Sequence, residues 1–195
     1  GLNLTPTTNG TYFRARFLEA QTNLDVTNTG MAITRVNVNF LEVHDEVIVE
    51  LKQYTDQDTL PSYINLFSPL IKRYVITNIG HSGLEDNFIT SADIYFRVPK
   101  SWVAQAGISN NEMLLYRYTG SQWVALPTTY LSESTIGSVS YYNYKSQSYG
   151  LSDFIIGTKE IAPVIQNLAQ NVSKNTTKSG NGTKKNITQQ PLRIE

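Results

Sequence analysis

Apolar and polar residues alternate with a period of two through much of residues 11–160, the spacing of a strand that buries one face. In residues 31–43, Val36, Val38 and Phe40 share one side, and Arg35, Asn37 and Asn39 share the other. Val47, Val49 and Leu51 alternate with Ile48, Glu50 and Lys52, and His44, Asp45 and Glu46 supply turn chemistry between the two runs. The same spacing predicts strands over 11–19, 71–78, 91–98, 139–146 and 153–157. Residues 113–118 and 122–125 predict a hairpin across Thr119, Gly120 and Ser121. Residues 54–69 read as a loop, because Pro61 and Pro69 argue against a central strand. Residues 80–87, with two glycines and two acids, read as a turn. One short helix is expected over 99–106, with Pro99 suited to its first turn and Gly107 to its end.

About nine strands with short connections and one short helix predict an all-β fold, an antiparallel β-sandwich, with an extended C-terminal tail. Composition changes near residue 161. All 21 aromatic residues precede it, and residues 166–190 are mostly Asn, Gln, Lys, Ser, Thr and Gly. Such a segment cannot bury enough apolar area to offset its own ordering entropy. The organisation expected is an N-terminal extension at 1–10, a sandwich domain at 11–160 and a polar assembly tail at 161–195. Two apolar patches interrupt the tail, Ile161, Val164 and Ile165 in one, Leu192 and Ile194 in the other. Each is short enough to add an edge strand to a neighbour, which makes these five residues the assembly candidates.

Charge and composition narrow the chemistry. Sixteen basic and sixteen acidic residues cancel, so the basic surface that supplies phosphate affinity is missing and no nucleic-acid partner is expected. Five basic residues lie in 161–195, but no aromatic is interleaved with them to stack on bases. Without cysteine there is no disulfide framework, thiolate metal centre or thiol nucleophile. No apolar run approaches the ~20 residues of a spanning helix, so no transmembrane segment is expected in this chain. The polar residues favour Thr and Asn over charge, with six N-x-S/T sequons beginning at Asn3, Asn9, Asn171, Asn175, Asn181 and Asn186. They sit only at the two ends, where a sugar disturbs no core, so N-linked glycans and an extracellular or cell-surface location are expected.

No catalytic or cofactor motif emerges. His44 and His81 are the only histidines and lack zinc-ligand spacing, although Asp45 and Glu46, or Glu85 and Asp86, lie near them in sequence. Ser82 follows His81 without a nucleophile elbow, and neighbouring strand residues face opposite ways. Glu42, Glu46 and Glu50, or Asp56 and Asp58, are conceivable carboxylate pairs, but nothing specifies a sugar cleft between them. Asp56-Gln57-Asp58 falls short of a twelve-residue calcium loop, so a structural calcium ion has no specific motif behind it. Tyr116, Tyr118, Tyr141, Tyr142, Tyr144 and Tyr149 are candidates for a sugar-stacking platform or, equally, for core packing with the hydroxyl at the rim. Trp102 and Trp123 are expected to anchor the helix and hairpin to the core.

The segments 94–102 (IYFRVPKSW), 114–123 (LLYRYTGSQW) and Leu126-Pro127-Thr128, with 72–76 (KRYVI) before them and 150–157 (GLSDFIIG) after, resemble the archaeal PGF-pre-PGF domain. The resemblance runs over about residues 31–158 and rests on the order of the segments. It implies an exported, β-rich surface module flanked by glycosylated polar linkers, with no established catalytic residues, so the chain is read as non-enzymatic. Gly150-Leu151-Ser152 stands where family members often carry glycine, phenylalanine and serine. The anchoring signal that often follows the module is not found after residue 161, which leaves membrane attachment open. The expected function is a structural subunit of an archaeal sheath, surface layer or pilus-like fibre, with identical subunits as partners. A glycan-binding or adhesive surface module is the alternative.

Overall fold

The computed structural model describes residues 7–10, 12–17, 23–41, 47–83 and 85–160, with backbone only at 7–9 and 16–17. The strands are β1 (Thr7–Asn9), β2 (Tyr12–Phe17), β3 (Asn23–Asp25), β4 (Ile33–Phe40), β5 (Val47–Gln53), β6 (Arg73–Ser82), β7 (Ile89–Pro99), β8 (Met113–Tyr118), β9 (Trp123–Leu126), β10 (Thr128–Ile136), β11 (Val139–Ser148) and β12 (Asp153–Thr158), with one helix, α1 (Lys100–Ala106). They form a seven-stranded sheet in the order β1-β2-β5-β6-β12-β8-β9 and a five-stranded sheet in the order β10-β11-β7-β4-β3. Every described pairing is antiparallel. The antiparallel β-sandwich read from the alternation is therefore the fold, with more strands than the pattern announced.

The alternation places side chains as expected. Val36 and Val38 from β4, Val49 and Leu51 from β5, and Ile94, Phe96 and Val98 from β7 are each at most 1% exposed in the space between the sheets. At about 25 cal/mol per Å² of apolar surface removed from water, each such side chain contributes roughly 1.5–3 kcal/mol before the entropy of ordering it. Pro99 caps α1 as the last residue of β7 rather than sitting in its first turn, and Gly107 ends the helix in the left-handed conformation (φ 67°) that a helix-terminating residue needs. Gly120 (φ 89°) closes the β8–β9 hairpin, where Thr119 N–H donates to Gln122 C=O at 3.0 Å.

Four local expectations are corrected. Residues 80–82 do not turn: β6 continues through Gly80 to Ser82, because pairing with β5 (Val49↔His81, Ile48↔Ser82) satisfies their backbone, and the chain reverses only after Gly83 (φ 80°). Residues 128–136 form a strand that the apolar pattern does not announce, since both its faces carry hydroxyls. Thr7–Asn9, placed in the N-terminal extension, instead pair with Tyr12–Arg14 as an edge strand of the larger sheet. The 54–69 segment contains a 3₁₀ turn, Ser62–Leu66, that buries Ile64.

That segment covers the outer face of the seven-stranded sheet. Ile64 and Phe67 pack on Ile76, Tyr116 and Ile155 in a second, smaller apolar cluster. β12 is consequently buried along its whole length, with Ile156 facing the main core and Ile155 the smaller cluster. Trp123 belongs to this outer cluster, while Trp102 on α1 packs against Tyr74 with ring centroids 5.2 Å apart. The two tryptophans thus serve different cores.

One core residue is poorly matched to its site. Tyr144 is 1% exposed and stacks on Phe96 at 5.2 Å, yet its hydroxyl has no hydrogen-bond partner among the described residues. A buried, unpaired hydroxyl costs about 1–3 kcal/mol. Tyr144→Phe removes that cost and keeps the ring, so the variant should melt several degrees higher, at roughly 2–4 °C per kcal/mol for a domain of this size. An unchanged or lower midpoint in a thermal melt refutes the assignment.

Candidate functional site

Three places on the sandwich gather chemistry. The first is an open hollow of about 720 Å³ lined by Asn78, His81, Glu85, Asp86, Asn87 and Ser152, among others. His81 Nε2 lies 2.8 Å from Asp86 Oδ1, with the histidine side chain 10% exposed and the aspartate 92%. His81 Nδ1 is buried and has no partner among the described residues. A histidine oriented by a carboxylate is two-thirds of a nucleophilic triad, and neither nearby described serine completes it. Ser82 is the adjacent strand residue and faces away from His81. Ser152 Oγ donates to the Tyr118 carbonyl at 2.8 Å and accepts from Arg117 Nε at 3.2 Å. Among the described residues, no three His, Asp or Glu side chains are grouped to hold a metal ion.

Other sequence candidates are dispersed. Glu50 on β5 pairs with Arg14 at 3.0 Å. Asp58 accepts from Lys52 at 2.9 Å and from Thr55 N–H and Oγ, each at 2.8 Å. Those bonds, the Lys52 ammonium foremost, hold its carboxyl down at about 2. Glu42, His44 and Glu46 lie outside the described residues. The six tyrosines do not form a row: Tyr116 and Tyr144 are buried, Tyr142 packs on the core, Tyr118 stacks on Tyr63, Tyr141 faces outward, and Tyr149 stands 72% exposed in a loop. Asn9 ends β1 opposite Tyr12. Asn3, Asn171, Asn175, Asn181, Asn186, Ile161, Val164, Ile165, Leu192 and Ile194 lie outside the described residues.

The second place is a buried carboxylate that sequence reasoning missed. Asp153, 7% exposed at the start of β12, accepts hydrogen bonds from Tyr63 Oη and, at 3.1 Å, from Asn78 Nδ2. Tyr63 lies in the covering segment, its ring stacked on Tyr118 at 4.1 Å, and its carbonyl accepts from Trp123 Nε1 at 3.1 Å. Asp153 therefore pins the flap across the sheet. Among the described residues the donors to this carboxylate are neutral, and its charge raises the phenols around it. Burial first, and then the Asp153 bond and charge, push the Tyr63 phenol well above the ordinary tyrosine value. The only signal in sequence was an acid just before an apolar strand.

The third is the outward face of the five-stranded sheet. Arg35 and Lys145 approach the Tyr95 ring at 5.7 and 5.6 Å, and each has an acid of its own, Asp25 at 2.5 Å and Asp93 at 2.8 Å. Arg97, 8% exposed, lies over Tyr141 at 5.0 Å and donates through Nη2 to the carbonyls of Thr29 (2.7 Å) and Met31 (3.1 Å). Asn37, Asn39 and Asn143 complete a face of amides, two acid-paired cations and an arginine bonded to carbonyls.

No family model, curated protein or solved structure matches the chain. The likeness to the PGF-pre-PGF domain thus rests on the residues quoted for it.

The pinned flap generates an alkaline prediction. A phenol whose value is raised on folding lends stability that is complete below pH 10 and is lost as pH climbs toward the folded value. Tyr116, raised by burial to about 12, and Tyr63 both act this way. Asp153→Asn removes the negative charge beside Tyr63, so in a tyrosinate absorbance titration one late-ionising tyrosine should move to lower pH while Tyr116 stays late. An unchanged titration curve refutes the carboxylate's role.

Proposed function

We propose that the chain is a non-enzymatic structural subunit of an extracellular polymer, an archaeal sheath, surface layer or pilus-like fibre. The sandwich serves as its rigid body, and the 161–195 tail supplies contacts between subunits. One observation carries the reading: an aromatic-rich domain is followed by a polar, aromatic-free segment with four of the six sequons and two short apolar patches. The resemblance to an exported archaeal module supports it, as does the hydroxyl- and amide-rich surface of the sandwich. Glycans on the terminal sequons would shield exposed peptide, and the patches around Ile161–Ile165 and Leu192–Ile194 would add strands to neighbouring sheets. A polymer needs complementary, non-closing surfaces, and strand exchange through a tail provides one.

The outward face of the five-stranded sheet favours a second reading, adhesion to a neutral glycan. Tyr95 and Tyr141 stand there among Asn37, Asn39 and Asn143, although Tyr95 is flanked by two cations.

Deleting residues 161–195 is expected to leave a folded domain, with the full chain's melting cooperativity, that no longer forms polymers on electron-microscopy grids. Polymerisation of the deleted form to the same extent as the full chain defeats the assembly reading.

A further inference from the structure

The four sheet edges are unequal. β1, β3 and β9 expose edges of three, three and four residues. β10 is nine residues long, and among the described residues only β11 pairs with it. Folded proteins blunt their edges with short strands, lysines, prolines or bulges, because an open row of N–H and C=O groups is a template for another strand. β10 has no Lys, Arg or Pro, and its single charge, Glu133, is paired with Lys100. Its one bulge falls at Leu131, between Tyr130 and Ser132, so Ser132–Ile136 remain a regular five-residue ladder. Three of the exposed large apolar side chains cluster there: Leu131 (46%) at the bulge, Ile136 (37%) ending the ladder, and Val139 (39%) opposite Ile136 on β11.

We propose that this edge pairs with the same edge of a second copy, antiparallel about a two-fold axis through Ser134, giving a ten-stranded sheet across two subunits. The second copy is the partner whose edge carries the same open ladder and the same exposed apolar side chains, and charge selects the register. Centring the pair on Glu133 sets two carboxylates directly opposite each other, which is unfavourable. Centring it on Ser134 sets each Glu133 opposite Thr135 of the other copy and Ile136 opposite Ser132. In that register Leu131 of one copy falls opposite Gly137 of the other, next to Ile136, which draws apolar groups that the single chain leaves exposed toward the seam. A two-fold contact closes on itself, so it makes dimers and cannot by itself make a fibre. The inference therefore deepens the assembly reading by naming one of the two contacts a polymer needs, the tail being the other.

The absence of native cysteine makes the test clean. In the full chain, Ser134→Cys places two thiols opposite each other at a Cα separation of about 4.5–5.5 Å, within disulfide range. Mild oxidation should convert it to a covalent dimer far faster than Gln105→Cys, a control on the exposed side of α1. In a second variant, Ile136→Glu should weaken dimerisation at least about tenfold in sedimentation velocity without lowering the melting point. Equal cross-linking of the two cysteine variants, or undiminished dimerisation of Ile136→Glu, overturns the contact. Polymers without the Ser134 cross-link overturn this contact and leave the assembly reading standing; cross-linked dimers without polymers support the contact and overturn the polymer.

Discussion

A strand with apolar side chains on both faces has to be covered twice, and β12 imposes that requirement on the whole domain. Its Phe154 and Ile156 face the space between the sheets, and Ile155 faces outward. The inner cover comes from the five-stranded sheet, which contributes Val36, Ile94 and Phe96. The outer cover is the 54–69 segment, seated through Ile64 and Phe67 and pinned by the Tyr63–Asp153 hydrogen bond. Apolar burial supplies the bulk of the stabilisation, and Asp153 decides where the flap sits. A buried carboxylate left without donors costs several kcal/mol, so the flap and the carboxylate hold each other in place.

Strands with one face in the main core were legible in the sequence, because burial on one side imposes the two-residue period. β4, β5, β7 and β8 follow their expected ranges to within a few residues. β10 was illegible for the converse reason. Thr128–Ile136 lies at an edge with both faces largely in water, so hydroxyl and apolar residues interchange there without penalty. The turn expected at 80–87 failed differently: the partner strand at 47–53, distant in sequence, decides the backbone of Gly80 and Ser82. At the sites, Asp153 could not be ranked above other acids, since its importance arises from Tyr63, ninety residues away. The pairing of His81 with Asp86 was within reach of sequence reading, five residues apart.

The low charge content shows in how the surface is built. Ion pairs such as Arg14–Glu50 and Arg35–Asp25 sit at the solvent-facing surface, where water screens much of their attraction. Hydroxyl and amide networks take over where charges are few. Asn143 Nδ2 reaches Ser134 Oγ at 3.0 Å and Ser132 Oγ at 3.3 Å, and Thr128 Oγ1 bridges the Leu126 carbonyl and Leu115 N–H. Thr128 sits where the chain crosses from one sheet to the other at Leu126-Pro127-Thr128, tying the two sheets along one flank. Such contacts respond little to ionic strength, because neutral groups are not screened.

The position of β12 also determines how the domain bears mechanical load. β12 is the last strand of the described residues, and it lies inside the seven-stranded sheet rather than at its edge. Tension drawn along it enters a strand bonded to β6 on one side and β8 on the other. Peeling an edge strand breaks a ladder one bond at a time, whereas sliding β12 out lengthwise must shear two ladders together and strip both apolar faces at once. Pulled from that end, the domain resists as a shear-loaded element and transmits force before it gives way.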